Sequence, residues 1–68
     1  MSVSYKRLWK MLIEKDMNKT QLRESAKIGT ATLSRLNKSE HVSMEVIEKI
    51  CNSLNCRIED IMEFIPDA

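Results

Sequence analysis

The chain has 68 residues, of which 43% are hydrophobic and 31% charged, and its formal net charge is +1. This length allows one small domain, which we take to span residues 1–68, and such a domain buries only roughly 60% of the surface of its unfolded chain. The sequence contains no apolar run of the ~18 residues that a membrane span needs and no signal peptide, so we expect a cytoplasmic protein. One glycine and one proline favour helices joined by short turns over a multi-stranded sheet.

The charges are distributed unevenly along the chain. Residues 1–38 contain nine basic and three acidic residues, a net charge of +6, whereas residues 39–68 contain two basic and seven acidic residues, a net charge of −5. A DNA duplex attracts the positive half, and the acidic half is expected to face away from it. The alternative explanation is that these charges only solvate helix faces.

The first predicted helix begins after a Ser4 cap and ends near Lys15. Its apolar residues recur at the three- and four-residue spacing of one helix face. They are Tyr5, Leu8, Trp9, Leu12 and Ile13. We interpret Trp9 as a core residue, with an exposed anchor for a second subunit as the alternative.

Two short helices with a tight connection are predicted over residues 18–38. Asn18 is suited to cap the first of them, because its side-chain oxygen can accept from an otherwise unpaired amide of the first turn. Gln21, three residues further on, can reach back to complete a capping box. The pattern therefore predicts that this helix begins directly after Asn18.

The second of these helices is predicted to begin at Gly29 or Thr30, with Leu33 and Leu36 on its buried side. Its outward residues are small and polar at the front and basic towards the back. They are Thr30, Ala31, Ser34, Arg35 and Lys38. A helix of this kind can enter a DNA major groove without steric conflict.

Two further helices are predicted in the second half of the chain. Ser43 caps the first, which covers residues 44–54 and ends at Asn55, a residue that tolerates the left-handed conformation. A short fifth helix is predicted over residues 58–63, and a loose tail over residues 66–68. The predicted fold class is therefore all-α, a compact domain of five helices.

The sequence offers no pattern for catalysis or metal binding. His41 is the only histidine, and its neighbours Ser39 and Glu40 do not make a triad, because triads are assembled in space around an oriented base. Cys51 and Cys56 have no second Cys or His pair nearby, so we interpret them as small core residues in a reducing cytoplasm. We predict no enzyme activity, no cofactor, no metal and no small-molecule substrate.

Residues 18–38 resemble the helix-turn-helix of the Cro/CI repressor superfamily, the lambda-repressor-like DNA-binding domains. The flanking sequence resembles the small single-domain bacterial regulators of that superfamily, in the stretches LWKMLIEKDMNKTQLRESA, TLSRLNKSEHVS and ICNSLNCRIEDIMEFIPD. The resemblance implies a helix-turn-helix at helices 2 and 3. The turn departs from the family pattern, which often has Gly at the position of Lys27 and Ser or Thr at that of Gly29. Either Lys27 adopts a left-handed conformation or Gly29 takes over the role of the glycine.

The resemblance also implies which residues contact DNA. In such proteins the start of the second motif helix reads base edges, and the matching residues are Thr30, Ala31, Ser34 and Arg35. Contacts to the phosphate backbone are expected from Lys19, Thr20, Lys38, Ser39, His41 and Ser43. A salt bridge or a phosphate contact is the alternative for Arg35, and ordinary solvated surface is the alternative for each phosphate-contacting residue.

We therefore expect a bacterial, sequence-specific transcriptional regulator, a repressor, whose partner is double-stranded operator DNA. One such domain makes a small interface, so two copies are expected to pair as a homodimer on half-sites about one helical turn apart. Phe64, Ile65 and Trp9 are the candidate dimer contacts. The alternative is a protein-interaction module, such as an antitoxin or a modulator of another regulator, with an apolar patch and a motif helix that binds no DNA.

Overall fold

The computed structural model describes residues 2–66 of the chain. Within them a short strand is followed by four α-helices, one 3₁₀ turn and a second short strand. The elements are β1 at Ser2–Ser4, α1 at Lys6–Glu14, α2 at Lys19–Ala26, α3 at Thr30–Asn37, α4 at Met44–Leu54, the 3₁₀ turn at Ile58–Asp60 and β2 at Glu63–Ile65. Of the tail predicted over residues 66–68, Asp67 and Ala68 lie outside the described residues.

Local hydrogen bonds explain where α2 and α4 begin and end. The Asn18 side chain accepts from the Gln21 amide at 2.8 Å, and the Gln21 side chain accepts from the Asn18 amide at 2.9 Å. The Ser43 hydroxyl accepts from the Val46 amide at 3.3 Å, and Asn55 ends α4 with φ 53° and ψ 54°. The predicted capping box, the Ser43 cap and the left-handed Asn55 are therefore confirmed.

The predicted fifth helix, and with it the count of five helices, is wrong. Only a single 3₁₀ turn forms in residues 58–63, and β2 follows it, pairing antiparallel with β1 so that Val3 lies opposite Phe64. Phe64 and Ile65 are aromatic and β-branched, which suits a strand, and Ile65 precedes Pro66, which disfavours helical backbone at Ile65. The chain is therefore mostly helical but closes with a two-stranded ribbon, β1 and β2.

The first helix ends near Lys15 as predicted, but it differs from its prediction at its start and on its apolar face. It begins at Lys6 rather than directly after Ser4, which belongs to β1, although the Ser4 hydroxyl still accepts from the Lys6 amide at 3.3 Å. Ile13, which we expected on the apolar face, is 78% exposed. Each residue turns about 100° around a helix, so Ile13 points well away from the direction of Leu12. Trp9 is only half-buried.

The buried core draws on every helix and on β1. Its members are Val3, Tyr5, Leu8, Leu12, Leu22, Ala26, Ile28, Leu36, Ile47, Ile50, Leu54 and Ile61. The small Ala26 lets α2 pack closely on α4, and the hydroxyls of Ser25 and Ser53 share a hydrogen bond between the two helices. Within residues 2–66 no buried polar side-chain atom lacks a hydrogen-bond partner. The core thus fixes α2 on α4, and α2 in turn positions α3.

Candidate nucleic-acid interface

The connection between α2 and α3 depends on a left-handed lysine. Lys27 adopts φ 57° and ψ 44°, and its amide donates to the carbonyl of Arg23. The amide of Ile28 donates to the same carbonyl at 3.1 Å, and the Ile28 side chain is buried under the turn. Gly29 has the extended conformation, φ −78° and ψ 164°, which any residue can adopt. Of the two possibilities that the sequence left open, the structure shows the left-handed Lys27.

Helix α3 turns one side to the core and the other to solvent. Leu36 is fully buried, and Leu33 and Thr32 are half-buried. The four residues predicted to read bases are all exposed, and we call them the reading face: Thr30, Ala31, Ser34 and Arg35. Because residues four apart are neighbours on a helix, the four lie on one side of α3. Their side chains are short except at Arg35.

Arg35 lies where α3 ends, so its backbone is fixed. Its carbonyl accepts from the amides of Lys38 and Glu40 at 3.1 Å and 2.9 Å, while its side chain is exposed. Within residues 2–66 the salt bridges are formed by other side chains. The guanidinium therefore projects from a well-defined backbone position.

The six predicted phosphate-contacting residues are all exposed. They are Lys19, Thr20, Lys38, Ser39, His41 and Ser43. The Lys19 ammonium donates to the side-chain oxygen of Asn37 at 2.6 Å. This contact places the start of α2 beside the end of α3, and Lys38 is the residue that follows Asn37. His41 lies apart from this contact, at the edge of an apolar cleft. The Ser43 hydroxyl is engaged as the cap of α4 but still has its own proton to donate.

Lys19 makes a second contact, with the aromatic ring of Trp9. The ammonium lies 4.2 Å from the centre of that ring, within the range of a cation–π interaction. Helices α1, α2 and α3 therefore meet at one side chain. Periodicity within a single helix cannot show a contact of this kind, and the sequence analysis did not predict it.

A family model described as the Cro/C1-type HTH DNA-binding domain matches residues 7–67 of the chain. The chain belongs to the Cro/C1-type helix-turn-helix family. The resemblance found in the sequence is confirmed, with α2 and α3 as the two helices of the motif.

A solved structure is similar to this Cro/C1-type domain over almost its whole length. It is the crystal structure of the transcriptional regulator VanUg, form II, which is 45% identical in sequence and superposes with a TM-score of 0.93. The similarity covers 97% of this chain and 88% of that chain. A comparison with curated proteins gave no match.

Sequence reasoning also missed how the Cro/C1-type domain holds the loop after α3. The hydroxyl of Tyr5 donates to the carbonyl of Glu40 at 2.7 Å, and burial raises the pKa of Tyr5. This bond ties the segment between α3 and α4 to the residue that precedes α1. The only signal in the sequence was a tyrosine within an apolar stripe, since a buried tyrosine usually finds a partner for its hydroxyl.

The two cysteines of the Cro/C1-type domain are half-buried rather than fully buried. Burial raises the pKa of Cys51, and it raises the pKa of Cys56 to about 11. The raised pKa values favour the protonated form of both thiols, and a protonated thiol is a poor nucleophile. Within residues 2–66 no three His, Cys, Asp or Glu side chains cluster as a metal site would require. None of the helices in this part of the chain is both long and apolar enough to span a membrane.

Proposed function

We propose that this Cro/C1-type domain is a sequence-specific transcriptional regulator, a repressor, that acts in a bacterial cytoplasm. The observation that carries the proposal is the reading face, which α3 exposes while its opposite side is fixed in the core. Similarity to the transcriptional regulator VanUg supports the regulatory role. Repression is the simplest effect of a small domain, since a protein bound across a promoter occludes it.

Each residue of the reading face has a suitable chemistry at a base edge. Thr30 can donate or accept a hydrogen bond, and Ala31 can contact the methyl group of thymine. Arg35 can donate two parallel hydrogen bonds to O6 and N7 of guanine, and Ser34 can add a hydroxyl contact. Because the front of α3 carries only short side chains, its backbone can approach the floor of the major groove.

Contacts to the DNA backbone would orient α3 in the groove without reading sequence. We assign this role to the exposed donors on either side of α3: Lys19, Thr20, Lys38, Ser39, His41 and Ser43. The net charge of +6 on residues 1–38 supports the same orientation, because the field of the duplex attracts that half. Lys19 and Lys38 contribute the full positive charges among the six.

We further propose that two copies bind DNA as a homodimer. Phe64 and Ile65 of β2 are apolar yet 60% and 42% exposed, which suits a contact between protomers. Trp9 is a weaker candidate than in the sequence analysis, because its ring lies against the Lys19 ammonium. The longest dimension of the described chain is 35 Å, close to the ~34 Å between half-sites one helical turn apart. Protomers that lay this longest dimension along the duplex would therefore touch.

The test is selection of binding sites from a random duplex library, followed by binding isotherms at several salt concentrations. Arg35→Ala should cost ~1–3 kcal/mol on the selected site and relax the preference at one base position. Lys38→Ala should weaken binding to all duplexes alike and lower the slope of log affinity against log salt by about 1. Arg57→Ala removes an exposed arginine from the acidic half of the chain and should leave the selected sequence unchanged.

Two outcomes would contradict the proposal. One is a wild-type protein that selects no sequence at moderate salt. The other is an Arg35→Ala variant that keeps both the selected site and the affinity, which would show that Arg35 does not read a base.

One observation favours a second function, a protein-interaction module. An apolar cleft of about 240 Å³ lies between the ribbon and the start of α4. Its lining includes Val42, Met44, Ile58, Met62 and Phe64. In this second function a partner protein would cover the cleft and α3 would bind no DNA, so the absence of any selected sequence would favour it.

A further inference from the structure

We propose that Trp9 and Asn37 are positioning residues, which hold the Lys19 ammonium in place to bind one DNA phosphate. The inference rests on the proposed DNA-binding function. Residues from three helices meet at the Lys19 ammonium: α1 supplies Trp9, α2 supplies Lys19, and Asn37 is the last residue of α3.

The contacts of Lys19 leave its ammonium able to bind a further acceptor. An ammonium has three N–H donors, and the Asn37 side-chain oxygen, 2.6 Å away, accepts from one of them. The face of the Trp9 ring, whose centre is 4.2 Å away, attracts the charge through its quadrupole. These two contacts fix the direction of the ammonium, and Lys19 remains exposed, so another donor can still point to a phosphate oxygen.

Both partners of Lys19 are neutral, so its positive charge is not cancelled locally. Some other cations of the chain lie beside carboxylates instead: Lys49 is 3.5 Å from Glu45, and Arg7 is 3.1 Å from Glu63. A carboxylate would compete with a phosphate for the ammonium, whereas a ring and an amide do not. This difference in partners favours phosphate binding at Lys19.

Holding the ammonium in advance reduces the entropy lost on binding. A free lysine has many rotamers and loses them when it grips a phosphate. Lys19 is already confined by two contacts. Asn37 lies two residues after Arg35, so a phosphate held at Lys19 would also fix the register of the reading face. In the absence of DNA the same contacts lie at the surface and stabilise the fold little.

The test is a double-mutant cycle between Lys19 and Asn37, measured on the selected duplex and on random duplex over a range of salt concentrations. Lys19→Ala should reduce the slope of log affinity against log salt by about 1. Asn37→Ala should keep that slope, because the charge remains, and lower the affinity about threefold on both duplexes. In the Lys19→Ala background, Asn37→Ala should have no further effect. Asn52→Ala, an exposed asparagine on α4, is the matched control.

Variants of Trp9 test the positioning role independently, because one of them keeps an aromatic ring and the other does not. Trp9→Leu should lower the affinity about two- to fivefold, and Trp9→Phe should restore most of it, because phenylalanine keeps an aromatic face. Without DNA, proton NMR should show the methylene protons next to the Lys19 ammonium shifted upfield by the ring in the wild type, and not in Trp9→Leu. Thermal unfolding identifies any Trp9 variant that does not fold. In that case the double-mutant cycle between Lys19 and Asn37 alone tests the positioning role.

The outcomes separate this inference from the function on which it rests. Additive effects of Lys19→Ala and Asn37→Ala, in a wild type that binds DNA, would overturn the positioning role alone. Unshifted Lys19 methylene protons would do the same. A wild type without salt-dependent binding to any duplex would overturn the proposed function and this inference together.

Discussion

One backbone conformation, at Lys27, determines how α2 leads into α3. A left-handed residue other than glycine costs roughly 1–2 kcal/mol. Here the left-handed conformation is maintained by the buried side chain of Ile28 and by the hydrogen bonds that two backbone amides donate to the Arg23 carbonyl. The sequence could predict that the turn lay between Lys27 and Gly29. It could not predict which residue takes the positive φ, because that choice depends on where Ile28 enters the core.

Replacing Lys27 with glycine should stabilise the protein. Lys27→Gly removes the steric cost of φ 57° but increases the entropy of the unfolded chain, so we expect a gain of up to about 1 kcal/mol in the free energy of unfolding. Urea denaturation measures it. Lys38, which has φ −94°, is the matched control, and Lys38→Gly should lose roughly 0.5–1 kcal/mol. Equal losses in both variants would show that Lys27 is not strained.

The candidate site was predictable at some residues and not at others. The exposure of Thr30, Ala31, Ser34 and Arg35 follows from helical periodicity once Leu33 and Leu36 are assigned to the core, so the reading face could be predicted. The contacts of Lys19 with Trp9 and Asn37 join residues of different helices. Such contacts depend on packing angles, which no local pattern contains.

At the scale of elements, the capping residues made the starts of α2 and α4 predictable from the sequence. The ribbon was not predicted. Asn18 and Ser43 mark the starts of these helices with side chains that accept from their first amides, so the signal lies within a few residues. Each strand of the ribbon has three residues, too few for an alternating pattern to be distinguished from a helical one. Each strand also pairs with the opposite end of the described chain.

The two central residues of the ribbon should contribute very differently to stability. Val3 is buried in the core, and Phe64, which lies opposite, is mostly exposed. Val3→Ala should therefore cost about 1–3 kcal/mol, as the loss of buried methyl groups does, and Phe64→Ala should cost much less. Chemical denaturation of both variants measures the difference. Equal losses would mean that the Phe64 ring packs against the domain in solution.

At the scale of the whole molecule, the proposed orientation on DNA depends on the charge asymmetry of the chain. The proposed pairing of two copies depends on the exposed apolar residues of β2. The acidic half is tied to α1 by Arg7, which contacts both Glu63 and the carbonyl of Glu59. Exposed ion pairs of this kind contribute little to stability. They place acidic residues of the C-terminal half beside α1.

Sedimentation of the complex with a palindromic selected site should show two protomers per duplex. Phe64→Ala should weaken this assembly while leaving the affinity for a single half-site unchanged, because Phe64 is outside the reading face. Ile13→Ala is the matched control, since Ile13 is also apolar and 78% exposed but lies on α1, outside the cleft that Phe64 lines. One wild-type protomer on each specific palindrome would count against the homodimer.

The ribbon also has a consequence for the order in which the chain folds. Ser2 lies opposite Ile65, so this pairing cannot form until the helices between them have brought the two ends together. We therefore expect the strands to close late in folding and to open before the helices in unfolding. The amides of β1 and β2 should exchange with solvent sooner than those of α2 and α4. In this order of folding, α3, the helix that we propose to face DNA, packs on the other helices before the two ends of the chain meet.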